Sequence, residues 1–182
     1  RERDTLLATL DRPESVRLNL PAWLAGRIRQ EWPQHYEAIA TGWSLRPSMA
    51  LRVNTSRIPR DDYVRLLMEK GVTCRPSVIS ACGVLLDKPC AVSELPGFAE
   101  GLVSVQDAAA QLAAKLLGAE NGERVLDLCA APGGKTCHVL ETAANIEMTA
   151  VELEPLRMQR LQQNLDRLGL HAELIVGDAT DT

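Results

Sequence analysis

Residues Asp127–Thr136 read DLCAAPGGKT, and the residues flanking this stretch decide the fold. Ahead of it stands a short apolar run, Arg124-Val125-Leu126-Asp127-Leu128, and it opens into Thr136-Cys137-His138-Val139-Leu140, which has helical spacing. Strand, small-residue loop, helix is the arrangement that presents main-chain N–H groups and a helix N-terminus to a ligand. Gly133 and Gly134 permit φ > 0 and let a ligand approach the main chain with no Cβ in the way. Pro132 restricts the loop.

Eighteen residues after Gly134, Glu152 closes a second apolar run, Met148-Thr149-Ala150-Val151. An acidic residue about that far beyond a glycine loop, at the end of the second strand, is placed to accept hydrogen bonds from a ribose. Loop and carboxylate together point to a nucleoside-containing cofactor. The Gly134-Lys135-Thr136 triplet invites a phosphate-loop reading, but that motif needs a glycine where Cys129 stands. The dinucleotide fingerprint also fails, because Ala130 and Ala131 hold its early positions. A tight turn that binds nothing, and a nucleotide-dependent oxidoreductase, are the remaining competitors. S-adenosylmethionine fits best, having a ribose for Glu152 and no phosphate.

Working outward, the second half reads strand (124–128), helix (135–144), strand (147–151), helix (155–168), strand (172–176). Met158, Leu161, Leu165 and Leu168 form the buried stripe of the second helix, with Pro155 at its start and Gly169 at its end. Three strands joined by two helices are parallel with right-handed crossovers. Ligands sit at the carboxyl ends of such strands, where Cys129, Glu152 and Asp178 fall. Upstream, Asp107 is a good N-cap for an alanine-rich helix, Ala108 to Leu117, closed by Gly118.

The first half is different in kind. A helix carrying Trp23, Leu24, Ile28 and Trp32 begins near Pro21, and a second runs from Pro33 through Tyr36 to Gly42. Trp23, Trp32 and Trp43 are expected to be buried between these helices. Met49-Ala50-Leu51-Arg52-Val53-Asn54 alternates like a half-buried strand. Leu51 and Val53 should face the core, Arg52 and Asn54 solvent or a nucleic acid. A helix over 61–70 and short strands near 72–74, 83–86 and 102–105 complete most of an RRM-like α+β unit, without the aromatic signature that stacks bases on its sheet.

With 46% hydrophobic and 24% charged residues over 182 positions, the composition is that of a globular protein with a real core. No apolar run approaches the roughly 20 residues needed to cross a bilayer. Five cysteines without paired short spacings indicate a reducing compartment, hence the cytoplasm. Cys74, Cys82 and Cys90 recur every eight residues, which suits no zinc site. Net charge is −4, but residues 1–75 carry 13 basic and 9 acidic side chains and residues 76–182 carry 7 and 15. Local clusters of arginine, not total charge, drive phosphate binding, and Arg46, Arg52, Arg57 and Arg60 lie close together.

DLCAAPGGKT resembles the first cofactor motif of RNA cytosine-5 methyltransferases. RPSMALRVN (46–54), LPGFAEGLVSVQDAAAQ (95–111), AVELEPLRMQRLQQNLDRLG (150–169) and GDAT (177–180) are similar to the Fmu (RsmB) group, whose members methylate a cytosine of small-subunit ribosomal RNA. The resemblance implies an α/β fold: the first half of a Rossmann-like S-adenosylmethionine methyltransferase sheet preceded by a small α+β, RRM-like domain. It implies that residues 1–18 end a NusB-like domain and its linker, 19–100 form the RNA-seating domain, and 101–182 form the cofactor-binding part of the methyltransferase domain.

By that resemblance the main chain of Cys129, Ala130, Ala131, Pro132, Gly133, Gly134 and Lys135 holds the cofactor's amino-acid part. Glu152 accepts from the ribose hydroxyls and Asp178 from the adenine amino group. Gln106 and Asp107 could lie near the methionine end. Ribosomal RNA is the partner, with Arg46, Arg52 and Asn54 as candidate contacts. The family's two catalytic cysteines, one in a Pro-Cys and one in a Thr-Cys, have no counterpart here. Pro89-Cys90 precedes the loop and lacks the right surroundings, so no catalytic residue is assigned. In the complete enzyme a cysteine thiolate attacks cytosine C6, and the target base must be unstacked to be reached. The alternative is a non-catalytic RNA-binding or assembly module of the same fold.

Overall fold

The computed structural model describes residues 20–45 and 47–181. The N-terminal helix and linker expected over 1–18, and Arg46, lie outside the described residues. The chain divides into two compact units, at Pro47 and Ser48. In the first, α1 (Ala22–Glu31) leads through a short 3-10 turn to α2 (Tyr36–Ser44). Its core is Leu20, Ala25, Ile28, Tyr36 and Ala40.

The tryptophans are not in that core. Trp23, Trp32 and Trp43 are 74%, 54% and 62% exposed, contrary to the burial expected of them. Trp23 precedes Ala25 by two residues, about 200° round the helix. Trp32 leaves the helix at its C-cap with φ −133°. Two alanines let the helices approach closely, and large indoles are left outside.

The second unit holds two sheets. The antiparallel one contains β1 (Met49–Val53), β2 (Cys74–Pro76), β3 (Gly83–Leu86) and β4 (Val103–Val105), in the order β2-β3-β1-β4, with α3 (Arg60–Glu69) between β1 and β2. One face packs on α3 through Leu51, Val53, Tyr63, Leu67, Val84, Leu86 and Val103. As the alternation requires, Leu51 and Val53 are interior. Arg52 and Asn54, expected at solvent, are instead buried, at 1% and 2% exposure. The alternation assigns a strand face, but that face is covered by the following half of the chain.

α4 (Leu112–Leu117) leads into the parallel sheet: β5 (Arg124–Leu128), α5 (Gly134–Thr142), β6 (Glu147–Glu152), α6 (Pro155–Leu168) and β7 (Glu173–Val176), ordered β5-β6-β7. The α4 helix starts later than expected. Asp107 Oδ1 accepts from the N–H groups of Ala109 and Ala110 at 2.9 and 3.3 Å, capping a turn before regular helix begins. Helices α5 and α6 pack on one face through Cys137, Ala150, Met158, Leu161, Leu165 and Leu168. The opposite face leaves Leu126, Leu128 and Ile175 exposed. Leu128 aligns with Val151, and Val151 with Ile175, so β5, β6 and β7 end together. Among the described residues, no helix is long and apolar enough to cross a membrane.

Candidate cofactor site

The loop from Cys129 to Gly133 turns out of β5 and re-enters as α5. Cys129 is exposed with φ 65°, and Gly133 takes φ 95° as the residue before the helix. A side chain at Gly133 would be strained by that φ, and its Cβ would lie 2.3 Å from Leu161 Cδ1. Glycine is therefore required here by both backbone and packing. The loop is pinned from below by Ala130 N–H to Val151 O at 3.0 Å and closed by Gly133 N–H to Ala130 O at 2.8 Å. The first α5 bond is Cys137 N–H to Gly133 O. The N–H groups of Gly134, Lys135 and Thr136 therefore head the helix without intrahelical acceptors. Thr136 Oγ1 donates to Asp127 Oδ2 at 2.6 Å, tying helix to strand end.

Glu152 lies at the end of β6, 3% exposed, directly against this loop. Its Oε2 accepts from Ala131 N–H at 3.2 Å, and its Oε1 from Glu154 N–H and Arg157 Nη1, both at 3.2 Å. Arg157 also donates to Ala131 O at 2.7 Å, so loop, carboxylate and guanidinium form one closed ring of contacts. A carboxylate has about four acceptor positions, and three are used. Gly177 N–H donates to Glu152 O at 3.1 Å, which brings the end of β7 alongside. Asp178 follows it, fully exposed. Its Oδ1 accepts from Thr180 N–H at 2.9 Å and Oγ1 at 2.7 Å, and these bonds hold its carboxyl below the usual range. Lys135 is exposed on the first turn of α5.

The other thiols and imidazoles are quiet. Burial pushes the Cys137 thiol up to about 11. Cys90 packs against the core of the antiparallel sheet, and burial, then Glu94, raise its pKa. His138, on α5, is 5% exposed, and burial, then the neighbouring Arg52 charge, bring it down to about 4. Its ring is neutral, with Nε2 3.6 Å from Cys82 Sγ.

Several residues that hold the site were not anticipated. Arg157 escaped notice because its ties to Glu152 and Ala131 join two strand ends; its position one turn into the helix after Glu152 was the available signal. Asn164 Nδ2 donates to Pro132 O at 2.9 Å. Arg52 reaches the loop from the other sheet, with Nη1 2.6 Å from Gly134 O and 2.7 Å from Gln106 Oε1. Gln106 was expected near the ligand; it lies beside the loop, its side chain facing Gly134. A hollow of about 200 Å3 between loop and β4 is lined by Pro132, Gly133, Gly134, Asn164, Ser104 and Arg167. A larger one, about 700 Å3, lies at the amino ends of the strands, between Arg124, Glu147 and Glu173, the end at which α/β sheets do not bind ligands.

Comparison with known proteins agrees with this architecture. Residues 20–93 match the family model for the RsmF/B-like methyltransferase ferredoxin-like domain. Residues 114–182 match that of the 16S rRNA methyltransferases RsmB/F. Ribosomal RNA small subunit methyltransferase B of Pseudomonas putida is 49% identical over the whole chain, and that of Serratia proteamaculans 44% over 98% of it. The chain spans about two fifths of these relatives' length, 42% and 41%. A methyltransferase homologue from Pyrococcus horikoshii superposes with TM-score 0.76 at 29% identity, covering 91% of this chain and 55% of that one. NSun6 from the same organism, solved with SFG, shares the fold (TM-score 0.72, 18% identity, 87% and 66% covered).

Proposed function

We propose, from the premise that the chain belongs to the RsmB/F family of 16S rRNA methyltransferases, that it is the cofactor-binding part of a cytoplasmic enzyme forming 5-methylcytosine in small-subunit ribosomal RNA. The observation that carries this reading is the Glu152 carboxylate seated against the Ala131 N–H at the carboxyl end of the parallel sheet. It unites a hydrogen-bond acceptor for a diol with a helix N-terminus whose leading N–H groups are free for a carboxylate.

The residues fit S-adenosylmethionine, which supplies the electrophilic methyl group when bound. The N–H groups heading α5, at Gly134 to Thr136, suit its carboxylate, and the loop from Cys129 to Lys135 lies along its amino-acid part. Glu152 accepts from the ribose hydroxyls through its unused acceptor position, with Arg157, half exposed, free to swing off Oε1. Asp178 offers Oδ2 to the adenine amino group, its Oδ1 being held by Thr180. The loop contains no phosphate cradle, since Cys129, Ala130 and Ala131 occupy the glycine positions of the nucleotide motifs.

Four of the five cysteines are not placed to attack a base. Cys74, Cys90 and Cys137 are neutral thiols with raised pKa values, whereas a nucleophilic cysteine needs its thiolate stabilised. Cys129 is exposed but sits where the main chain meets the cofactor. These residues accordingly hold and orient the methyl donor, and the thiolate chemistry belongs to other parts of the complete enzyme.

Titration with S-adenosylmethionine by calorimetry tests the reading. Glu152→Ala is expected to weaken affinity by roughly 2 kcal/mol, the loss of a charged hydrogen bond. Unchanged affinity refutes the role of Glu152. Labelled S-adenosylmethionine with small-subunit RNA then separates an enzyme from an assembly module: the full-length protein transfers label to cytosine C5, a module binds both and transfers none.

A further inference from the structure

The ferredoxin-like sheet does more than sit beside the cofactor site. At the centre of its second face, Arg52 pairs across the strands with Gly83 on one side and Ser104 on the other. Both are small, which leaves room for a close approach, and the approach is made by α5. The Arg52 guanidinium, almost fully buried, binds both oxygens of Glu141, with Nε and Nη2 at 2.9 and 2.8 Å. Nη1 reaches the carbonyl of Gly134, the first helical residue after the cofactor loop. Gly134 and Glu141 are seven residues apart, two turns on one helix face. One rigid fork from β1 thus grips α5 at both ends of that span.

The same Nη1 donates to Gln106 Oε1, and Gln111 Nε2 donates to Gln106 O at 3.0 Å and Leu51 O at 3.2 Å. Every element that touches Arg52 therefore also touches either the loop exit or β1. A buried charge held by four contacts, one of them to the main chain of the ligand-binding turn, does more than fasten two surfaces together. It fixes where α5 starts, and so where the N–H groups of Gly134 to Thr136 point.

We infer that Arg52 is a positioning residue for the cofactor loop, so that methyl-donor affinity is set in part from the ferredoxin-like domain. The inference rests on the assignment of this loop to S-adenosylmethionine. It differs from a packing role in a testable way. Contact with Gly134 O orders the loop, whereas the pair with Glu141 fastens the helix further along.

The test measures S-adenosylmethionine affinity, thermal unfolding, and the KM values for both substrates in the full-length protein carrying Arg52→Met, Arg52→Lys or Glu141→Gln. Displacement of a binding group by about 1 Å can cost as much as 10²-fold. Arg52→Met is expected to weaken the cofactor roughly 10- to 100-fold and raise its KM, leaving KM for RNA unchanged. Arg52→Lys, which keeps one donor for Gly134 O, should recover most of that loss while remaining less stable than wild type. Glu141→Gln should lower the unfolding temperature at least as much as Arg52→Lys, with cofactor affinity within about threefold of wild type. Arg52→Lys and Glu141→Gln suffice to decide should Arg52→Met not fold. Affinity that falls in step with stability across all variants, or that does not fall in Arg52→Met, overturns the inference. A wild-type protein that fails to bind S-adenosylmethionine overturns the cofactor assignment instead.

Discussion

The two sheets of the second unit bury their faces in opposite ways. The antiparallel sheet is covered twice, by α3 on its apolar face and by α5 on a face that carries an arginine, a glycine and a serine. Among the described residues, the parallel sheet carries α5 and α6 on one face, and its other face leaves Leu126, Leu128 and Ile175 exposed. The antiparallel sheet thus takes a charged residue inside, at 1% exposure. The comparison teaches that residue type alone does not tell which face of a sheet is occupied. The polar face of the ferredoxin-like sheet is the interior one, because its charge is matched by Glu141, which is 4% exposed. An RRM would use that face to stack bases; here it is committed to the methyltransferase half.

That contrast can be broken most severely from the methyltransferase side. Glu141→Ala leaves the Arg52 guanidinium buried without its counter-charge and should cost about 3–5 kcal/mol in chemical denaturation. A loss below about 1 kcal/mol would mean that the second face is in truth hydrated. The same truncation placed in each sheet sharpens the contrast. Leu51→Ala, in the doubly covered sheet, should cost about 2–5 kcal/mol, and Leu126→Ala, 60% exposed, under about 0.5 kcal/mol in the 182-residue chain. Similar losses at both sites would erase the distinction.

A further effect is a pH dependence beneath the covered face. His138 titrates near 4 in the folded protein against an ordinary 6.5, so between those values the unfolded chain binds more protons. Its contribution is complete above pH 6.5 and fades as pH falls toward 4, by roughly 2–3 kcal/mol. A His138→Leu variant should lose that slope between pH 6.5 and 4 in unfolding curves, and an unchanged slope would place its cause elsewhere.

How much of this could be read beforehand follows the range of the interactions. The loop, the two crossovers and the alignment of Cys129, Glu152 and Asp178 at one edge depend on glycine geometry, helical periodicity and strand ends. All of these are local, and the sequence displays them. Leu51 and Val53 as core follow from alternation. Arg52 could be assigned to the opposite face, but its partner is 89 residues away, and nothing in a strand pattern reveals what will cover it. The cluster Arg52, Arg57, Arg60 looked like a phosphate-binding surface. In the fold Arg52 joins α5, Arg57 donates to the carbonyls of Glu100 and Leu168, and Arg60 pairs with Asp61. The tryptophans differ for a related reason: bulk and apolarity favour burial, but the core of that unit is built from Leu20, Ala25, Ile28, Tyr36 and Ala40, and the indoles lie on other faces of the helices.

The Arg52–Glu141 pair has a consequence for how such sequences change. Loss of either charge alone strands the other in a dry environment and lowers the stability of the intermediate. Substitutions at positions 52 and 141 should consequently arrive together among relatives, either as a reversed or replaced pair or not at all, and a graft of the small domain from a distant homologue should succeed only when it brings the matching helix with it.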